Sequence, residues 1–158
     1  MGLDNIIYYG INDHTNLSED IIRKIHSNVD NLSLITGSLT ECLKYKFISF
    51  RGKIYHDVIL ELTGFGLYRD LSPSDLQNMY EKLNEYIEFN RKNFDKIDML
   101  LSDDENRDAI EMYINLMGSR IDKIYPSSIE VVYPSYIEIL CKLFKVMSEN
   151  NLWLIASY

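Results

Sequence analysis

Along the chain, apolar and polar residues alternate in two different rhythms, and the changes of rhythm mark out the elements. The first segment, NIIYYGI, is β-branched and aromatic and is bounded by Gly10 and the polar run NDHTN, which predicts a strand. A helical rhythm follows. Ser18 is a capping residue, Glu19 and Asp20 complement the positive end of a helix, and Ile21, Ile22, Ile25 and Val29 recur on one face. From Ser38 to Phe50 both rhythms are present, because Leu39, Cys42, Leu43 and Phe47 fit a helix whereas YKFISF has strand composition. A short helix passing into an extended piece accommodates both.

After RGK, the residues Ile54, Val58, Ile59 and Leu62 predict a helix starting near Gly52, with Gly64 suited to the left-handed position that ends it. LSPSDL starts the next one, with Ser72 as cap and Pro73 where its missing N–H is harmless. Leu76, Met79, Tyr80, Leu83 and Ile87 form its inner stripe, and it should run to about Asn90. Ser102 and Glu105 make a capping box for a helix burying Ala109, Ile110, Tyr113, Ile114 and Met117 and stopping at Gly118. A last helix begins at YPS, turns Ile137, Leu140, Cys141, Phe144 and Met147 inward, and closes at Asn150 and Asn151. LWLIASY then reads as a strand placed to cover the edge of NIIYYGI.

The resulting expectation is an α+β, mostly helical fold. Four to six helices would pack on a small antiparallel sheet that joins the N- and C-terminal strands, with SIEVV as a candidate third strand. A chain of 158 residues without long linkers or repeats is expected to form one compact domain over 1–158.

Charge alters this picture at one place. The chain has a formal net charge of −8, which disfavours nucleic acid and anionic membrane surfaces as general partners. Yet Lys44, Lys46, Arg51 and Lys53 follow one another with no carboxylate between Glu41 and Asp57. The opposite bias runs from Asp95 to Glu111, where seven acids accompany only Lys96 and Arg107. A basic island in an acidic chain suggests a confined anion site, or a contact between copies in which one island meets another copy's acidic segment.

SFRGKIYHDV gives that island a chemical form. A loop running into a helix offers backbone N–H groups, Gly52 permits close approach, and Arg51 and Lys53 add charge suited to phosphate or carboxylate. The glycine number and spacing of a P-loop or dinucleotide fingerprint are missing. The 12 tyrosines of the chain cluster partly around the island, and their rings could stack on a base. The candidate ligand set is Arg51, Gly52, Lys53, Tyr55 and His56, with Tyr8 and Tyr9. The alternative for each is ordinary: solvated or ion-paired cations, and tyrosines at the core boundary.

Catalytic sets are thin. His56 and Asp57 are adjacent and point about 100° apart on a helix, so they do not form a base and its orienter. Asp57 and Glu61 share a face, but they lack the further oxygen ligands a divalent ion needs, and the acidic run at Asp103 is explained by the helix end it occupies. No zinc spacing or activated nucleophile stands out, so no cofactor, no metal and a non-enzymatic role are expected. Cys42 and Cys141 lie among apolar neighbours and are expected to be reduced core thiols, and with no signal or lipidation pattern seen at the start a cytoplasmic location is expected.

The opening MGLDN, the central SFRGKIYHDVI, the following TGFGLY and a Trp-containing terminal strand together resemble a group of small phage and bacterial proteins without assigned function. The likeness covers the two ends and residues 49 to 68 and maps no residue to a role. It implies a phage or mobile-element context, in which compact acidic proteins bind host immune components or trap nucleotide messengers. Two functions are therefore expected. The first is a counter-defence protein that sequesters a small anionic, nucleotide-like signalling molecule in an oligomer, in the host cytoplasm if the chain is phage-encoded. The second is an acidic inhibitor or immunity-type protein whose helix from Asp103 to Met117 blocks a basic surface of a host protein.

Overall fold

The structure, a computed structural model, describes residues 2–92 and 134–158. The order of elements is β1 (Asp4–Tyr8), α1 (Glu19–Asn28), a short 3-10 turn (Leu32–Leu34), α2 (Leu39–Tyr45), β2 (Ser49–Phe50), α3 (Gly52–Thr63), α4 (Pro73–Phe89), α5 (Pro134–Glu149) and β3 (Trp153–Ser157). The architecture is α+β and mostly helical, as the hydrophobic pattern predicts.

The two ends of the chain meet. β1 is the central strand of an antiparallel sheet of order β2-β1-β3, with Asp4 opposite Ser157 and Tyr8 opposite Trp153. The third strand is β2, in which Phe50 pairs with Asn5 and Ser49 with Ile6. SIEVV and the helix expected from Ser102 to Gly118 lie outside the described residues. The free side of β3 is covered by the loop before α4. Leu71 and Leu154 exchange backbone hydrogen bonds of 2.9 and 3.0 Å, and Asp70 Oδ1 accepts the Ala156 N–H at 3.0 Å, so an edge that could template another strand is occupied.

Helix starts follow local chemistry. Ser18 Oγ accepts the Ile21 N–H, Ser38 Oγ accepts the Glu41 N–H, and Ser72 with Asp75 forms a reciprocal capping box at α4. Gly64 ends α3 at φ +78°, and Lys46 ends α2 in the same left-handed region.

The core gathers under the sheet. Ile7 from β1, Ile22 and Ile25 from α1, Leu76, Met79 and Leu83 from α4, and Ile137, Leu140, Phe144 and Met147 from α5 are all buried. Helix α5 is enclosed on most sides; its exposed positions between Ser135 and Glu149 are Lys142, Lys145 and Glu149. In α3 the inner face runs through Tyr55, Val58, Ile59 and Thr63, with Ile54 and Leu62 at its margin. Tyr55 therefore takes a core position that the apolar spacing assigned to Ile54.

Candidate functional site

Strand geometry organises the basic island. Residues 47 to 51 alternate, so that Ile48 and Phe50 are buried while Phe47 and Arg51 are exposed and Ser49 lies half-buried between them. Phe47, Ser49 and Arg51 thus share the outward face. Lys44 and Lys46 precede them on α2 and its cap, and Lys53 follows on the first turn of α3. Four exposed or half-exposed cations edge one side of the sheet.

Arg51 stands apart electrostatically. Arg23 pairs with Glu19, Arg69 with Asp75 and Arg91 with both Glu88 and Glu138, whereas no carboxylate pairs with Arg51 or Lys53 among the described residues. The guanidinium of Arg51 lies along the start of the chain, where a Cβ placed on Gly2 would come within 3.6 Å of Nε and Nη2.

Gly52 performs a packing task. A Cβ built on it would fall 1.7 Å from Asn5 Oδ1 and 2.9 Å from Asn5 Cγ, so the side chain of Asn5 rests directly on the glycine. Asn5 is the polar residue on the inner face of β1 and has no exposed surface. Its Nδ2 donates to the Leu67 carbonyl at 2.9 Å, while Oδ1, which finds no hydrogen-bond partner among the described residues, faces the positive end of α3. Asn5 therefore occupies the side of Gly52 on which a Cβ would stand.

The aromatic candidates are also engaged. Tyr55 is buried edge-on to Phe50, with ring centroids 6.1 Å apart. Tyr8 stacks on His14 at 4.3 Å, and the Tyr9 hydroxyl accepts the Ser18 N–H at 2.7 Å. His56 Nδ1 accepts the Leu67 N–H at 2.9 Å, and its ring meets Tyr68 edge-on at 4.5 Å. Asn5 and His56 between them satisfy both backbone groups of buried Leu67, and so clamp the loop after α3 to the sheet. Burial lowers the pKa of His56, opposed by Asp57, in keeping with a ring that must stay neutral to accept.

Two exposed rings lie on the island itself. Tyr45 is 58% exposed and Phe47 41%, their rings tilt together at 6.4 Å, and the Lys44 ammonium sits 5.2 Å from the Tyr45 centroid. They line a cleft of about 280 Å³ with Gly37, Glu41, Cys42 and Ser49. Tyr45 belongs to the tyrosine cluster seen in the sequence. Phe47 was legible there only as a helical or strand core residue, because its outward direction depends on where the extended segment begins.

The one charged residue lining the cleft among the described residues is Glu41, and the nearest cation shown is Lys44 over the Tyr45 ring. Burial and Glu41 raise the pKa of the Cys42 thiol that lines it, which favours the protonated form. Among the described residues no group of three or more metal-binding side chains occurs, and no helix is long and apolar enough to cross a membrane. Compared with protein-family models, curated proteins and solved structures, the chain matches none.

Proposed function

We propose that the protein is a non-catalytic binder of a small, phosphate-bearing, nucleotide-like ligand, received on the outward face of residues 44–53. Arg51 and Lys53 take the phosphate, and Tyr45 and Phe47 take the planar base. The unpaired state of Arg51, in a net-acidic chain whose other described arginines are all ion-paired, carries this reading. An unpaired guanidinium is suited to bidentate phosphate contact. Phe47 and Arg51 are four residues apart in extended chain, about 13 Å, close to the length of a nucleotide. In the phage-type context implied by the resemblance, such a binder sequesters a host signalling nucleotide as a counter-defence. Assembly into a homo-oligomer would help to enclose the ligand.

The test is a thermal-shift series with ATP and with cyclic dinucleotides. Ligand at about 100 times its Kd contributes about 2.7 kcal/mol, or roughly 5–10 °C for a chain of this size. The double variant Arg51→Ala, Lys53→Ala should lose that shift and keep its far-UV circular dichroism. A shift that survives the double substitution refutes the assignment.

A second reading is favoured by the composition of the same surface. Exposed Tyr45, Phe47 and Arg51 are residue types enriched at protein interfaces, although the lysines beside them are not. An inhibitor of a host protein would use this surface together with the acidic helix expected from Asp103 to Met117, which lies outside the described residues. Native mass spectrometry of protein isolated from its own cells separates the two. A retained mass of a few hundred daltons supports the nucleotide, and a co-purifying protein supports the inhibitor.

A further inference from the structure

A second cationic concavity lies between α1 and α5, formed by residues that the chain order separates widely. Lys24 and Asn28 stand one turn apart on α1. Lys142, Lys145, Val146 and Glu149 occupy one face of α5, and Asn150 closes the end. Together they line a groove of about 350 Å³. Helix α5 is otherwise almost enclosed, and its three exposed residues, Lys142, Lys145 and Glu149, all line this groove.

Among the described residues the three ammonium groups have no ion-pair partner. Glu138 stands one turn before Lys142, where it would ordinarily pair with it, but it is engaged by Arg91. No carboxylate pairs with Lys24, Lys142 or Lys145 among the described residues, although Glu149 lines the same groove. Lys145 lines the groove with its ammonium 5.5 Å from the centroid of the Tyr80 ring, which stands outside it, and this weak contact leaves the charge without a counter-ion. Like charges held together without compensation repel one another. In a concavity they also focus a positive potential that draws in anions.

We infer that the α1–α5 groove is a binding site for a compact phosphate oxyanion, a phosphate or pyrophosphate group, held by Lys24, Lys142 and Lys145. Lysine ammonium groups act as mobile point charges on flexible stems, and these three line one groove from two helices, within reach of the several oxygens of a phosphate. Glu149 tunes the site against tighter binding. The site shares no residue with the island at 44–53 and stands whether or not that surface binds a nucleotide.

The experiment is a titration of the full chain, labelled with 15N, with inorganic pyrophosphate against sodium chloride of equal ionic strength. Pyrophosphate should shift the backbone amides of residues 24–28 and 142–150 saturably, and chloride should not. Lys142→Ala with Lys145→Ala should weaken the affinity at least about tenfold, as expected for removing two charge-assisted contacts. Both residues are exposed, so the fold should persist. Glu149→Gln should tighten binding, an effect that simple loss of structure would not produce. The inference is overturned by shifts confined to residues 44–53, by equal shifts with chloride, or by an affinity indifferent to the lysine substitutions.

Discussion

Replacing Gly52 by alanine tests the contact that most shapes the island. The added methyl would lie 1.7 Å from Asn5 Oδ1, far inside van der Waals contact, and 3.1 Å from Leu3 Cδ2, which can swing aside. Asn5 has no free surface to move into without giving up its hydrogen bond to the Leu67 carbonyl. Stranding that buried pair costs about 1–3 kcal/mol. Local overpacking adds about 1–3 kcal/mol. The better helix propensity of alanine returns at most about 1 kcal/mol.

The net loss is about 3 kcal/mol, which for a chain of this length lowers Tm by about 6–12 °C. Urea unfolding of four proteins, the wild type, Gly52→Ala, Asn5→Ala and the double variant, separates the terms. With Asn5 shortened the obstruction is gone, so Gly52→Ala should then cost less than about 1 kcal/mol, a coupling of about 2 kcal/mol. A Gly52→Ala protein within about 0.5 kcal/mol of wild type refutes the packing role. Equal losses in both Asn5 backgrounds do so too.

Other outcomes follow from the same geometry. Burial lowers the folded-state pKa of both His26 and His56 below the ordinary value of 6.5, so the unfolded chain takes up protons first as the pH falls. Stability is therefore complete above about pH 6.5 and declines below it, until the folded-state pKa values are passed. Urea midpoints at pH 7.5 and 5.5 should show the decline, and His56→Gln, a neutral acceptor for the Leu67 N–H, should reduce it. Burial pushes the Cys141 thiol up to about 12 and also raises Cys42, so neither should react with a neutral thiol reagent in the folded protein, and both should react in denaturant. Ser72→Ala removes one half of the α4 capping box and should cost about 1 kcal/mol in the same urea assay, with Ser72→Asn recovering most of it.

What the amino-acid sequence determined by itself was local. Ser18 and Ser72 as caps, Gly64 as a terminator, and the inner faces of α1, α4 and α5 were legible because capping and the 3.6-residue period act within one or two turns. The meeting of the two terminal strands was legible from their composition and from the edge each would otherwise leave open.

Tertiary structure alone decided the fate of the polar and aromatic residues. Ser49–Phe50 became the third strand because β1 had a free side there, a fact that depends on where α2 ends. Gly52 and Tyr55 turned inward while Arg51 and Lys53 stayed in water, since the face α3 buries is chosen by Asn5, Leu3 and Phe50 across the sheet. Lys24 and Lys142 share a groove only because α1 packs on α5. Periodicity says which residues lie on one side of an element. Which side meets protein and which meets water is set by long-range packing, where apolar area removed from water outweighs any local preference.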